Sequence, residues 1–493
     1  MARSPLPLSV SLDPAAALPL HVQLREGLRS AILDRRLPRG ARLPASRVLA
    51  ADLGCARGTV VLALEQLTAE GYLTARPGSG TRVAATLPDD TIPRSRQRAP
   101  SLSTPAADLS RRGARLVSAP PRRYMAGPGV PDAFALGRPA LDAFPYEVWA
   151  RLLQAEWRHG SSERPDPRGS PALRGAIAAY LAQARGVVCE ADDVIVTAGI
   201  RQSLRLLAEL LLDPGETALV EEPGFPGIAQ ALAGAGLRPG PVPSGPGGLA
   251  ARGAASRAPG ARLAVVTPAH HYPLGYAMSL QNRLDLLAWA EAASGWIVED
   301  DYDGAYRYAG RPLAPLRALD RAGRVIYVGS FSKLLLPALG LSYLVLPRGL
   351  VAAVNQALAE TGPAPPGIGQ WALARFIEDG HLAGHLRRTR RLYALRQEAL
   401  VEAAQRHAAD VVAVAPMEGG MHLIARPGPA WAPALADADA TASLGRAGVS
   451  AVALSAYYAD TPEPGLLLGY AAVPERAIEP AVRRLAETLR LAI

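Results

Sequence analysis

Six short apolar runs punctuate the middle of the chain: Val194-Ile195-Val196-Thr197, Thr217-Ala218-Leu219-Val220-Glu221, Leu263-Ala264-Val265-Val266-Thr267, Gly295-Trp296-Ile297-Val298-Glu299, Val325-Ile326-Tyr327-Val328 and Tyr343-Leu344-Val345-Leu346. Their length and β-branched content read as buried strands, and helical stretches lie between several of them. Strand and helix in alternation predict an α/β layer around a mostly parallel sheet. In such sheets ligands collect beyond the carboxyl ends of the strands. The polar residues of this region fall at those ends.

One of them is Lys333, in Val328-Gly329-Ser330-Phe331-Ser332-Lys333-Leu334, and it is the only lysine in 493 residues. Lys and Arg together number 53, so the other 52 are arginines. Arginine supplies positive charge as well as lysine does, but it does not act as an amine nucleophile. A single lysine in such a chain points to a deprotonatable primary amine, with Schiff-base formation on an aldehyde as the leading chemistry. Glu299-Asp300-Asp301-Tyr302-Asp303 follows a second strand, and Thr267-Pro268-Ala269-His270-His271-Tyr272-Pro273-Leu274-Gly275 a third. Thr197-Ala198-Gly199-Ile200-Arg201-Gln202 opens a helix, whose free N–H groups and positive dipole end suit a phosphate. Phe225 supplies an aromatic face. An amine, an acid, a phosphate cradle and an aromatic face together match the needs of pyridoxal 5'-phosphate.

The first part of the chain is organised differently. Residues 1 to 83 carry 11 Arg against 6 Asp and Glu. Helical spacing predicts helices from Leu20 to Arg36, Ser46 to Leu53 and Arg57 to Glu70, stopped in turn by Pro38-Arg39-Gly40, Gly54 and Gly71. Tyr72 to Arg76 and Thr81 to Val83, joined by Pro77-Gly78-Ser79-Gly80, read as a β-hairpin. Three helices and a hairpin make a winged helix-turn-helix over residues 15–84. A Pro-, Ser-, Ala- and Arg-rich stretch over residues 85–124 then reads as a flexible linker.

Two resemblances follow. Leu43-Pro44-Ala45-Ser46-Arg47, Arg57-Gly58-Thr59-Val60 and Arg76-Pro77-Gly78-Ser79-Gly80-Thr81 are similar to the DNA-binding domain of the GntR regulators. That likeness implies a double-stranded DNA operator, with Arg47 and Arg57 on bases or phosphate, Thr59 on phosphate and Gly78 letting the wing approach the minor groove. The remainder resembles fold-type-I aminotransferases, and nearly the whole chain resembles the MocR subgroup of GntR regulators. The latter likeness rests on Glu299-Asp300-Asp301-Tyr302-Asp303, Phe331-Ser332-Lys333-Leu334-Leu335-Leu336-Pro337 and His385-Leu386-Arg387-Arg388-Thr389-Arg390-Arg391-Leu392-Tyr393. It implies a fold-type-I body with a large cofactor domain over residues 125–379 and a small C-terminal α/β domain over 380–493. By position Asp300 would pair with the pyridine nitrogen, Tyr302 with the ring hydroxyl and Lys333 with the aldehyde. Phe225 would stack, Ser330 and Ser332 would hold phosphate, and a head-to-tail homodimer would complete the site.

Three positions depart from the subgroup. Gly340 stands where an Arg near the phosphate is usual, Arg164 replaces a tyrosine that reaches the neighbouring subunit's phosphate, and Leu467 lies where aminotransferases place a carboxylate-clamping Arg. Arg164 or Arg201 is expected to restore the phosphate's cation. Without the clamp, the expected role is a regulator that senses an amino compound, or pyridoxal phosphate itself. The alternative is an aminotransferase with an appended DNA-binding module, and whether turnover remains is open at this point. Cys55 and Cys189 lack metal-ligand spacing, so no metal site is expected. No apolar run reaches the roughly 18 residues that span a bilayer, and a reducing cytoplasm is the expected location.

Overall fold

The computed structural model describes residues 12–16, 18–76, 80–88, 109–110, 112–114, 133–158, 166–308, 313–361, 365–431 and 435–492. The chain divides into two compact units, residues 1–107 and 108–493.

In the first unit the helices are Leu20–Leu33, Ser46–Asp52 and Arg57–Ala69. They end within a few residues of the periodicity limits; the first stops early because the chain turns at Arg35, which adopts φ 60°. Leu24, Leu28 and Ile32 from the first helix meet Val60, Leu64 and Leu67 from the third, with Leu49, Tyr72 and Val83 closing the core. Strands β1 (Leu73–Arg76) and β2 (Gly80–Val83) pair antiparallel, with Arg76 opposite Gly80. This is the expected winged helix-turn-helix.

The second unit is built on an eight-stranded sheet made of β3 (Val194–Thr197), β4 (Thr217–Glu222), β5 (Arg238–Gly245), β6 (Gly248–Leu249), β7 (Leu263–Val266), β8 (Trp296–Asp301), β9 (Val325–Ser330) and β10 (Ser342–Val345). Its order is β3-β10-β9-β8-β7-β4-β5-β6. Strands β5, β4, β7, β8 and β9 run parallel, and β10 lies antiparallel between β9 and β3. All six sequence-read runs are strands. β5 was not among them, because Pro239, Pro241 and Pro243 break its ladder donors; its full-length partner is β4 alone, and such a strand tolerates proline. Alternate residues bury against helices on opposite sheet faces, Val220, Val265 and Val298 on one and Leu219, Ala264 and Ile297 on the other.

The small C-terminal part carries an antiparallel sheet of β11 (Val412–Val414), β12 (His422–Pro427), β13 (Val452–Ala453) and β14 (Leu466–Gly469), in the order β11-β12-β14-β13. Helices His381–His407 and Glu475–Ala492 pack with it. Residues that the sequence assigns to the large domain join this part: Ser450 N–H donates to Ala133 O at 2.8 Å and Gly469 N–H to Phe134 O at 2.9 Å. Within the stretch read as linker, Arg112 donates to Gly234 O at 2.5 Å and pairs with Glu209 at 3.4 Å.

Leu204, fully buried on helix Ile200–Leu211, anchors the helix that opens at Gly199. Leu204→Ala is expected to cost about 2–5 kcal/mol, measured by urea unfolding followed through tryptophan fluorescence.

Candidate functional site

The sheet order brings the sequence-predicted residues to one edge. Lys333 follows β9, Asp300 ends the adjacent β8, the Thr267–Gly275 segment follows β7, Phe225 follows β4, and Gly199 follows β3. Lys333 sits on the short helix Phe331–Leu334, which Ser330 caps by accepting from Ser332 N–H at 3.2 Å. Ser330 Oγ also meets Ser342 Oγ at 3.2 Å. The amine of Lys333 donates to Gly137 O at 2.9 Å. Gly137 adopts φ 69°, and a Cβ there would lie 2.4 Å from Lys333 Nζ, so a side chain at this position would collide with the amine.

Three successive carboxylates at the end of β8 have three fates. Glu299 accepts from the N–H groups of Leu316 and Arg317 at 2.8 and 2.9 Å. Asp301 is taken by Arg185 at 2.6 Å and by the hydroxyl of Tyr327. The Asp300 carboxylate forms no hydrogen bond or ion pair with the described residues, although the residue is only 6% exposed. Burial lifts its pKa to about 8, with help from Asp301, Asp303 and Glu221 and against the pull of Lys333. Burial also lowers the Lys333 ammonium, and Asp303 and Asp300 oppose that.

Tyr302 meets His270 Nδ1 at 2.9 Å, and the same nitrogen lies 3.0 Å from Asp303 Oδ2. Phe225 stands edge-on to Tyr272 at 5.6 Å, and Tyr272 edge-on to Tyr302 at 5.9 Å. Glu221 accepts from Thr267 N–H and Oγ1–H at 3.0 and 2.6 Å, and burial raises it to about 7. His271, 3.9 Å from Glu221, is pushed down to about 3 by burial, so its imidazole is neutral near pH 7.

Gly199, at φ 109°, caps helix Ile200–Leu211 without any side-chain bond, which leaves the N–H groups of Ile200 and Arg201 directed out of the helix. Arg201 Nη2 lies 3.1 Å from where a Cβ on Gly227 would be, beside the Phe225 ring; glycine at 227 makes that room. Gly340, at φ 59°, has open space at its Cβ position. Leu467 lies in an apolar cluster with Leu136, Leu274, Ile424, Leu454 and Tyr457. Arg164 lies outside the described residues.

Three further residues belong to the site: Gly137, His270 and Asp303. In the sequence, His270 and Asp303 are marked only by their closeness to strand ends. Gly137 lies in an irregular segment that carries no periodicity.

On the first unit, Arg47 is exposed on the second helix, and Arg57 is exposed and Thr59 half-buried at the start of the third, where Arg57 Nε donates to Ser46 Oγ at 3.4 Å. Gly78 lies outside the described residues.

Comparison with known proteins agrees with this two-part layout. The family "Aminotransferase class I and II" matches residues 135–485, and "Bacterial regulatory proteins, gntR family" matches residues 20–83. The chain is 39% identical over 483 residues to a probable rhizopine catabolism regulatory protein, MocR, of Rhizobium meliloti, covering 96% of this chain and 94% of that one. It is 31% identical to the pyridoxine biosynthesis transcriptional regulator PdxR of Corynebacterium glutamicum, over 98% of this chain and 99% of that one. Among solved structures, it is similar to the alpha-aminoadipate aminotransferase LysN of Thermus thermophilus, complexed with N-(5'-phosphopyridoxyl)-L-leucine. That match has a TM-score of 0.66, 27% identity, and coverage of 75% of this chain and 96% of the other.

The raised carboxylates have a measurable consequence. Asp300, at about 8, and Glu221 and Glu299, each at about 7, hold protons in the fold that an unfolded chain has released at neutral pH. For these three carboxylates the folded state binds more protons, so their contribution to stability falls toward about pH 8; the buried His271, His385 and His422, pushed down to about 3, 4 and 4, oppose this below about pH 6.5, which leaves the net fall above that pH. The melting temperature of the cofactor-free chain is expected to drop between about pH 6.5 and about pH 8.5, and Asp300→Asn to flatten that drop. Scanning calorimetry across this range checks both.

Proposed function

We propose that this chain, which belongs to the MocR-type GntR transcriptional regulators, binds pyridoxal phosphate at Lys333 and uses the occupied body to set the operator affinity of its winged head. The observation that carries this reading is the half-buried Lys333, its amine beside the unpaired carboxylate of Asp300 at neighbouring strand ends. A buried carboxylate with a raised pKa and no partner is a site prepared for a cation, and a protonated pyridine nitrogen meets that need.

Pyridoxal phosphate, when bound, supplies an aldehyde that joins primary amines reversibly and an electron-withdrawing ring. Lys333 is the amine that holds it. Asp300 keeps the proton on the ring nitrogen, and Tyr302, steadied by His270, hydrogen-bonds the ring hydroxyl. Phe225 covers one ring face. The N–H groups at Gly199, Ile200 and Arg201 hold the phosphate together with the hydroxyls of Ser330 and Ser332. With Gly340 bringing no side chain, the guanidinium of Arg201, or that of Arg164, supplies the phosphate's cation.

The effector is a small amino compound, or pyridoxal phosphate itself. Either acts by binding one conformation of body and head better than another, which requires no turnover. Leucine at 467 supports sensing over transamination, because an apolar cluster stands where a carboxylate clamp is needed. A homodimer presents two heads, with Arg47, Arg57, Thr59 and Gly78 at the DNA, and such a partner places the protein in the cytoplasm.

Borohydride treatment of the cofactor-saturated protein is expected to leave one pyridoxyl adduct, at Lys333; mass spectrometry that finds no adduct there removes the reading. Arg201→Ala is expected to weaken pyridoxal phosphate binding by about tenfold or more, the effect of losing a charge-assisted hydrogen bond. Arg57→Ala is expected to cost about 1–3 kcal/mol of operator binding in a mobility-shift titration. Incubation with amino acids and a 2-oxo acid acceptor is expected to give no multiple turnover.

A further inference from the structure

A cavity of about 510 Å³ opens between the large and small parts of the body, and neither Lys333, Asp300, Tyr302, Phe225 nor Ser330 belongs to its wall. The volume suits a small ligand. Leu274, Tyr276, Met417 and Ile424 make much of its lining apolar, and Arg307 and Arg426 stand in the same wall.

The ion pairs of these two arginines are weak ones. Arg307 pairs with Glu418 and Arg426 with Glu463, and both glutamate side chains are more than half exposed, at 64% and 55%. A glutamate partner this exposed is screened by solvent, so a ligand carboxylate can join or replace it. Arg185, also in the wall, differs: its pair with Asp301 is buried at 8% and 3%, and it remains a structural tie.

Besides Arg185 Nη2, which faces Asp301 in its ion pair, three buried polar atoms along the wall have no hydrogen-bond partner among the described residues: His270 Nε2, Asp303 Oδ1 and Arg307 Nε. His270 and Asp303 are 8% and 2% exposed. A buried group left unpaired costs about 1–3 kcal/mol, so each gains from an occupant that pairs with it. The Nε2 side of the imidazole is turned toward two glycines of the same wall. A Cβ on Gly420 would lie 2.7 Å from Nε2, and one on Gly275 would lie 3.3 Å from it and 2.2 Å from the flexible Met417 side chain. Glycine at both positions, with methionine beside them, leaves that ring edge approachable after a small side-chain shift.

We propose that this cavity is a second ligand site, for an α-amino acid with an apolar side chain. Its carboxylate is held by Arg307 and Arg426, its ammonium faces Asp303 and His270, and its side chain lies on Leu274, Met417 and Ile424. Occupancy reaches the cofactor residues by one step, because His270 Nδ1 is the atom that meets Tyr302. That linkage, unlike the binding itself, rests on the pyridoxal phosphate reading above.

The test titrates the full-length Lys333→Ala protein, without cofactor, with L-leucine and L-phenylalanine by calorimetry, using 3-methylbutylamine as a probe that lacks the carboxylate. Expected are saturable one-site binding of the amino acids, none of the amine, and loss of about tenfold or more in affinity in the Arg307→Gln and Arg426→Gln variants. No saturable binding of either amino acid overturns the proposal, and so does binding that both variants leave intact or that Phe225→Ala abolishes. Circular dichroism confirms that each variant is folded; should one fail to fold, the other decides. In wild type, saturating L-leucine is expected to change the affinity for pyridoxal phosphate, as reciprocal linkage requires. Equal affinity with and without L-leucine removes the linkage, whereas absence of the Lys333 adduct counts against the cofactor reading and leaves the second site standing.

Discussion

The site depends on the parallel pairing of β8 with β9, which aligns Asp300 with Val328 and Asp301 with Gly329. That register delivers a carboxylate and an amine from neighbouring strands into the same water-poor edge. Opposite charges attract far more strongly there than in solvent, and each is costly to leave ionised alone. The local tertiary structure reserves one carboxylate for this purpose. Glu299 is consumed by the start of helix Leu316–Leu319 and Asp301 by Arg185, so Asp300 alone remains unpaired. The backbone of Gly137 then completes the setting by holding the amine in place.

Holding a cofactor and turning over a substrate are separate demands on a body of this fold. The sheet side carries the amine, the acid, the aromatic face and an uncapped helix start. The side facing the small C-terminal part carries an apolar cluster of Leu136, Leu274, Ile424, Leu454 and Leu467. Ligand recognition without catalysis needs only a difference in affinity between two states, and the winged head gives such a difference something to act on.

Much of this was legible in the chain because it is local. Helical periodicity located Leu24, Leu28, Val60 and Leu64 in the core of the head, and continuous apolar runs located six strands of the body. The lone lysine identified itself by composition. Strand β5 escaped because its prolines read as loop, and only its place near the sheet edge makes them tolerable. The segment from Ala133 to Gly137 escaped because its partners, at Ser450, Gly469 and Lys333, are about two to three hundred residues away in sequence, where no periodicity or spacing reaches.

The sequence by itself determined the class of the molecule: a winged head, an α/β body, and one amine placed after a strand beside an acidic run. These follow from turn chemistry, residue period and side-chain reactivity, which act between neighbours along the chain. Tertiary structure alone decided which of three consecutive carboxylates stays free, that His270 joins Tyr302 to Asp303, and that the Arg201 guanidinium lies against Gly227. Those outcomes are set by strand order and by which buried groups find partners, and burial makes such pairings matter only once the sheet has closed around them.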